Sequence, residues 1–257
     1  MKRLACLTAL ALAIAAATPG FAQTAKQAPR RADGFASDFQ TVPVMGNTPG
    51  ANGSRFESYV AILNPTANSF PIDVTLYDST GTVHTATITL AAGEQKTYEN
   101  FLEEVFQYTG GGAVQFRSSD SAGGQRNNRF VINTEVLTSG TRYNTVIPVL
   151  EFLGSSSKSF AVGVNVDSTT RTNVGCMNQS DVQNTIVATV YDKSGTQNLG
   201  SVTLNLAPKA WGQAGVGTVV SNGYVQFTPS DNAVCYAVVV DNATNDGRFI
   251  AAAEYTP

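Results

Sequence analysis

The chain has 257 residues, with 16 basic and 19 acidic side chains and a formal net charge of −3 at pH 7. Only 14% of the residues are charged, and the basic ones form no cluster along the sequence. This argues against nucleic acid or an anionic membrane as a partner, because both bind through clustered Lys and Arg.

The first residues have the pattern of a secretory signal. Lys2 and Arg3 precede an unbroken apolar stretch over 4–17, and the small residues that follow predict cleavage after Ala22. The apolar stretch is too short for a membrane span. We therefore expect an exported protein, either secreted or periplasmic, from which the signal has been removed.

The remaining chain repeats itself. Residues 75–82 (TLYDSTGT) return as 189–196 (TVYDKSGT), and Asn64 and Asn178 stand at the same distance ahead of these runs. Alternate positions are apolar, and each run contains an Asp-x-x-Gly turn, which predicts two copies of one β-domain. We divide the chain into a signal peptide (1–22), a flexible leader (23–40), repeat 1 (41–150) and repeat 2 (151–257).

Each repeat is predicted to open with a short proline-containing strand, at 41–44 and at 146–149. Proline cannot donate a hydrogen bond to a sheet, so we expect these segments to be edge strands or strand starts. After the first Asp-x-x-Gly turn, threonines at 85, 87 and 89 alternate with His84, Ala86, Ile88 and Leu90. This alternation is typical of a half-buried antiparallel strand with its threonine face in water.

Residues 100–107 interrupt the β pattern of repeat 1. Asn100 and Glu103 resemble a capping box, and the apolar residues between 101 and 106 form a helical stripe. This predicts a short helix that plugs one end of the domain. Repeat 2 lacks the stripe and has a glycine-rich loop over 214–218 instead.

The strand pattern predicts an all-β fold made of two tandem Ig-like or fibronectin-like antiparallel β-sandwich domains. Two sheets that pack over alternating inward residues are the stable arrangement for such strands, at roughly 100 residues a domain. The tryptophan that immunoglobulin domains place on an early strand is missing here, because Trp211, the only tryptophan, is expected near a loop.

Two cysteines remain after removal of the signal, Cys176 and Cys235, and both lie in repeat 2. In an exported chain such a pair is a natural disulfide, worth roughly 4 kcal/mol for a loop of this length. Repeat 1 has Ile62 and the apolar strand around Val131 at the corresponding places, so the bridge would replace a buried apolar contact. Two buried free thiols are the alternative.

Several runs of repeat 2 resemble a repeat found in secreted bacterial proteins. That repeat is predicted to be an Ig-like β-sandwich, occurs often in tandem and has no assigned activity. The resemblance implies the compartment and the type of module, and it supplies no catalytic residues. Repeat 1 departs from the pattern, with Glu57-Ser58-Tyr59 in place of Arg171-Thr172-Asn173. The matching runs are 171–175, Asn178, the 191–195 turn, 206–208 and 236–242.

No catalytic or metal site is predicted. His84, the only histidine, is expected to be a partly buried strand residue rather than a general base. Short boxes at 155–158, 193–195 and 230–232 match those of serine β-lactamases but occur in the wrong order. The acidic run at 241–247 has a faint calcium-loop pattern without the expected glutamate, which favours a hairpin turn. We therefore expect neither an enzyme nor a bound cofactor.

Four aromatic residues lie together near one end of repeat 1. If exposed, they are suited to binding sugar or a protein partner; their amphipathic spacing favours a core plug. The sequence predicts a non-catalytic structural or adhesive protein that binds a protein or a glycan at the cell surface through its loops. A carbohydrate-binding module that uses these aromatics is the alternative: Tyr98, Phe101, Phe106 and Tyr108.

Overall fold

The computed structural model of the protein describes residues 36–50, 53–118, 128–139, 144–150 and 154–255. The predicted signal peptide and the predicted leader up to residue 35 lie outside these residues. The described residues are almost all in antiparallel strands, which confirms the all-β class and the β-sandwich architecture. Those of both repeats belong to one compact unit, and their division into two separate domains stays a prediction.

Repeat 1 forms one continuous sheet that folds over itself, in the strand order β4-β3-β6-β1-β2-β7-β8, with β5 also paired to β2. The elements are β1 (Phe39–Pro49), β2 (Arg55–Leu63), β3 (Phe70–Asp78), β4 (Val83–Leu90), β5 (Gln95–Tyr98), α1 (Phe101–Phe106), β6 (Gly110–Ser118), β7 (Val131–Thr138) and β8 (Asn144–Val146).

Strand β1 belongs to both layers of repeat 1. Its first part pairs with β6 and its end pairs with β2, and the register shifts between Val42 and Met45. Pro43 lies in this irregularity, where its missing N–H removes no regular ladder bond. Over 41–44, β1 pairs with β6 on one side, and on the other side it has only the isolated bridge from Thr41 to Leu150, because pairing with β2 begins at Asn47. The segment therefore lies at the edge of its layer, as the proline indicated, and a bulge accommodates the proline.

Repeat 2 has two separate sheets, ordered β13-β10-β15-β16 and β12-β11-β14-β9-β17. The first matches β5-β2-β7-β8, and the second matches β4-β3-β6-β1 with β17 added. The sequence repeat is thus a structural repeat. The strands are β9 (Ser159–Val166), β10 (Thr170–Asn178), β11 (Asn184–Tyr191), β12 (Asn198–Leu206), β13 (Trp211–Gly215), β14 (Val220–Pro229), β15 (Ala233–Asp241), β16 (Gly247–Ala251) and β17 (Ala253–Glu254).

The segment 146–149 does not open repeat 2. Its first residue ends β8, which pairs with β7, and Ile147 and Val149 are buried in the core of repeat 1. The apolar side chains that suggested a new strand therefore complete the preceding core, and β9 is the first strand of repeat 2.

Each repeat has a core of its own. The core of repeat 1 contains four phenylalanines, Phe70, Phe101, Phe116 and Phe130. The core of repeat 2 contains Phe227, the disulfide cysteines and several small alanines. The two copies of one topology are therefore filled by side chains of different sizes.

Helix α1 forms as predicted, with a cap that differs in one residue. The Asn100 side chain accepts from the Glu103 N–H, and the Asn100 N–H donates to the side chain of Glu104 rather than of Glu103. The helix ends at Gln107, which has a left-handed backbone conformation with φ of 52°. Phe101 points into the core and closes one end of the sandwich.

Candidate functional site

The predicted disulfide is present. Cys176 and Cys235 lie directly opposite each other on β10 and β15 with their Cα atoms 4.1 Å apart, and both are buried. Ile62 and Ile132 occupy the matching register on β2 and β7. The bridge therefore stands where repeat 1 has a buried apolar pair, one position from the predicted Val131.

Of the four aromatics predicted as a binding set, Tyr98 and Phe106 lie against the ring of Phe101, which is fully buried. Its ring lies 5.2 Å from that of Tyr98 and 6.1 Å from that of Phe106, both edge-on. Tyr98, Phe106 and Tyr108 are half-buried and pack against the same core. Burial, with Glu104 and Glu94 nearby, raises the pKa of Tyr98. A binding role for the three half-buried rings stays a prediction.

His84 is paired with a buried aspartate at the first Asp-x-x-Gly turn. Its Nε2 lies 3.1 Å from Oδ2 of Asp78, and its ring centroid lies 5.1 Å from that of Tyr108. The other oxygen of Asp78 accepts bonds from Thr80 and Thr82. Burial favours the protonated acid, but the bonds from His84, Thr80 and Thr82 outweigh it and lower the pKa of Asp78. The pair closes the turn.

Other loop carboxylates are engaged in the same way. Hydrogen bonds from Thr169 and Thr170 lower the pKa of Asp167 to about 2. Asp192, the counterpart of Asp78, accepts from Ser194 and Gln197, and its pKa is lowered by these bonds. Each carboxylate therefore serves as the acceptor that closes its own loop.

The acidic run at 241–247 is closed by its first residue. Asp241 accepts from the backbone of Ala243 and Thr244 and from the Thr244 hydroxyl, and these bonds lower its pKa. The loop is a turn, as the sequence favoured. Within the described ranges, no group of three or more His, Cys, Asp or Glu side chains is arranged to hold a metal ion.

Asn64 and Asn178, which the sequence uses only as markers of the repeat, are fully buried and play the same part in both copies. The side-chain amide of Asn64 donates to the carbonyls of Asn68 and Ala91 at 2.8 Å each. That of Asn178 donates to Val182 at 2.9 Å and Ala207 at 2.8 Å. Both tie together two loops at one end of a sandwich, which is a structural role.

The two repeats pack against each other at a junction that the sequence did not predict. Trp211 begins β13 directly after the loop at 207–210, and a side chain on Gly111 would come within 2.9 Å of its ring. The indole N–H donates to the hydroxyl of Tyr236 at 3.1 Å. A side chain on Gly81, in the first turn, would likewise come within 2.8 Å of the carbonyl oxygen of Pro208.

A cavity of about 150 Å³ lies at this junction. Its walls are mainly apolar, with Met45, Phe56 and Trp211 among them, and Arg171 supplies a charge. The guanidinium of Arg171 is held by two asparagine oxygens, of Asn242 at 3.0 Å and Asn245 at 2.8 Å. A volume of this size holds a few water molecules or a small apolar group. Sequence reasoning missed the cavity because its walls come from both repeats.

Within the part of the chain that the structure describes, no helix is long and apolar enough to cross a membrane. Comparison of the chain with known families finds no model that matches, and comparison with curated proteins finds no match. The multi-sheet all-β fold is consistent with an Ig-like sandwich, and the resemblance to a tandem repeat of secreted bacterial proteins rests on the residues alone.

Proposed function

We propose that the chain is an exported, non-catalytic β-sandwich protein that acts as a structural or adhesive module and binds a protein or surface partner through its loops. The observation that carries this proposal is that the loop carboxylates accept hydrogen bonds within their own turns. Asp78, Asp167, Asp192 and Asp241 are all acceptors for their own turns, and their pKa values are lowered. A general acid or base needs the opposite, a pKa moved toward neutral pH.

Two further features support the proposal. The Cys176–Cys235 disulfide is typical of a protein that folds in an oxidising compartment. The repeats are joined by hydrogen bonds as well as packing, since the Thr145 hydroxyl donates to the carbonyl of Gly247 at 3.0 Å. Two packed sandwiches, of which repeat 2 carries an internal disulfide, hold their internally bonded turns in fixed positions, and this reduces the entropy lost on binding.

Two exposed valines in the loops of repeat 2 allow the loop-binding hypothesis to be tested. Val182, between β10 and β11, has 57% of its surface exposed, and Val219, just before β14, has 74%. Strand β11 runs antiparallel to β14, so the two valines lie at opposite ends of repeat 2. Substituting one at a time therefore asks which end contacts a partner.

The experiment measures binding of the labelled, processed protein to intact cells of the species that carries the chain. We expect saturable binding that Val182→Ser or Val219→Ser weakens severalfold, while the substitution at the opposite end has little effect. The exposed side chain of Val146, on strand β8 of repeat 1 and away from both loops, supplies the control Val146→Ser. Binding that neither loop variant changes would contradict the loop hypothesis, and a protein retained in the cytoplasm with free thiols would contradict export.

A further inference from the structure

Four aromatic side chains cross the outer face of the five-stranded sheet of repeat 2. The ring of Tyr191 on β11 stacks on that of Tyr224 on β14, with centroids 5.1 Å apart. The ring centroid of Tyr224 lies 6.2 Å from that of Phe160 on β9, and the ring centroid of Phe160 lies 6.5 Å from that of Tyr255. We call these four residues the aromatic row. It runs over three neighbouring strands and ends beyond β17.

The aromatic row faces away from the core. The strand neighbours Val190, Val225 and Ala161 are buried, so side chains at the adjacent positions point to the other face of the sheet. Tyr191, Tyr224 and Phe160 are half-buried there, and the exposed fraction of Tyr255 is 61%. A contiguous patch of exposed aromatic side chains is typical of a surface that binds a ligand or a partner.

Val162 extends the patch. It pairs in register with Tyr224, and 64% of its surface is exposed. The side chains that flank the row on the same face are polar but uncharged: Thr189, Gln226 and Thr228. The row is therefore an apolar strip bordered by hydroxyl and amide groups that donate and accept hydrogen bonds.

The charge of the sheet restricts the ligand. Strands β9, β11, β12 and β14 contain no Asp, Glu, Lys, Arg or His. Charges adjoin the row at its Tyr255 end, where β17 contributes Glu254 and the carbonyl of the exposed Lys158 accepts from the Tyr255 N–H. Nucleic acids and anionic lipids bind through Lys and Arg, even where aromatic rings stack on the bases. An uncharged strip of this kind is complementary to a neutral ligand with apolar faces and many hydroxyl groups.

The corresponding face of repeat 1 lacks these features, so the row is not a by-product of the fold. Tyr77 corresponds to Tyr191, but its strand partner is Ala113 where Tyr191 has Tyr224. The Tyr77 hydroxyl donates to Gln115 at 2.9 Å. The matching strands also carry charges, and the Arg117 guanidinium lies over the ring of Phe39.

We propose that the aromatic row is a binding site for a neutral polysaccharide. The apolar faces of the sugar rings pack on Tyr191, Tyr224, Phe160 and Tyr255, and the sugar hydroxyls bond to the flanking hydroxyl and amide side chains. The site lies on the face of a sheet, so it is separate from the loops proposed to bind a partner and does not depend on them.

The test is electrophoresis of the processed protein in native gels that contain hydroxyethylcellulose, laminarin, mannan or dextran, with anionic alginate as the charged comparison. We expect at least one neutral polymer to retard the protein and alginate not to do so. Tyr224→Ala is expected to weaken the association about tenfold, the effect of losing one stacking ring. Tyr224→Phe keeps the ring and should retain most of the binding. Tyr255 lies beyond the last strand, so Tyr255→Ala tests the row without disturbing the sheet.

Matched variants in repeat 1 separate this site from others. Tyr77→Ala removes the residue that corresponds to Tyr191, and Tyr98→Ala with Tyr108→Ala removes half-buried rings near α1; neither should change the retardation. The proposal is wrong if none of the four neutral polymers retards the protein, or if the repeat 1 variants abolish binding while Tyr224→Ala and Tyr255→Ala retain it. Self-association that light scattering detects and that these row variants abolish would identify a second copy as the occupant, and would also overturn it.

Discussion

The two repeats share one order of strands but are held together in different ways. Repeat 1 is packed by four phenylalanines and closed by helix α1. Among its described residues, repeat 2 has one phenylalanine in its core, together with several alanines and a disulfide. A core of small side chains buries less apolar surface per residue, and a covalent cross-link compensates by restricting the unfolded chain. Repeat 1 is thus stabilised mainly by packing in the folded state. Repeat 2 is stabilised in part by the disulfide, which restricts its unfolded chain.

The largest effect is expected from removal of the central ring of repeat 1. Phe101→Ala deletes a fully buried side chain that contacts the rings of Tyr98, Phe106 and Phe116. We expect the free energy of unfolding to fall by about 3–5 kcal/mol, measured by urea denaturation followed by circular dichroism. Phe106→Ala, at a half-buried position, is the control and should have a smaller effect. Equal losses in the two variants would show that Phe101 is not the centre of this core.

The second test makes repeat 2 resemble repeat 1. Cys176→Val combined with Cys235→Val replaces the bridge by an apolar pair like that of Ile62 and Ile132. We expect a loss of about 2–4 kcal/mol, because the unfolded chain is no longer cross-linked. The same denaturation experiment on Ile62→Val, a smaller change with an expected loss of about 1 kcal/mol, gives the scale for repeat 1. A doubly substituted protein as stable as the wild type would mean that packing alone holds repeat 2.

The smallest effect on stability is expected from the two Asp-x-x-Gly turns, one in each repeat. The pKa of Asp78 is lower in the folded protein than in the unfolded chain, so its ionised form stabilises the fold above the unfolded value of about 4. That contribution is lost as the pH falls through the lowered pKa. We expect the free energy of unfolding to decline below about pH 4, and to decline less steeply in Asp78→Asn.

Asp192→Asn is the matched variant in repeat 2. Asp192 also has a lowered pKa, which is due first to its bond with Ser194. We therefore expect the free energy of unfolding of Asp192→Asn to decline less steeply with acid than that of the wild type. The difference between the two variants reports the combined effect of the burial of Asp78 and its bond with His84, neither of which Asp192 has. If the wild type and Asp78→Asn decline equally with acid, the hydrogen bonds at the first turn do not stabilise the fold.

The sequence predicted the features that depend on local pattern. Helix α1, the Asp-x-x-Gly turns and the cysteine pair each follow from residue types at short or repeated spacing, and the structure contains all three. The segment 146–149 was wrongly predicted to open repeat 2, because its apolar pattern does not tell which core the side chains join. Pro43 indicated an edge position, which the pairing of β1 bears out, but the bulge beside it leaves no separate signal in the sequence.

The surfaces that bind partners were harder to find, because they arise from tertiary contacts. Tyr191, Tyr224 and Phe160 are far apart in the sequence and meet only when β11, β14 and β9 pair. By contrast, Tyr98, Phe101, Phe106 and Tyr108 are close in the sequence and drew attention for that reason, although Phe101 lies in the core. The missing charges of β9, β11, β12 and β14 were visible in the sequence but had no meaning until these strands formed one sheet.

The position of Trp211 gives the molecule its own optical probe. The chain has one tryptophan, and its indole lies against Gly111 of the other repeat with its N–H bonded to Tyr236. Fluorescence excited in this ring therefore comes from the seam between the repeats and from nowhere else in the chain. Any event that parts the repeats will expose the indole to water and shift its emission to longer wavelength, even while every strand remains folded.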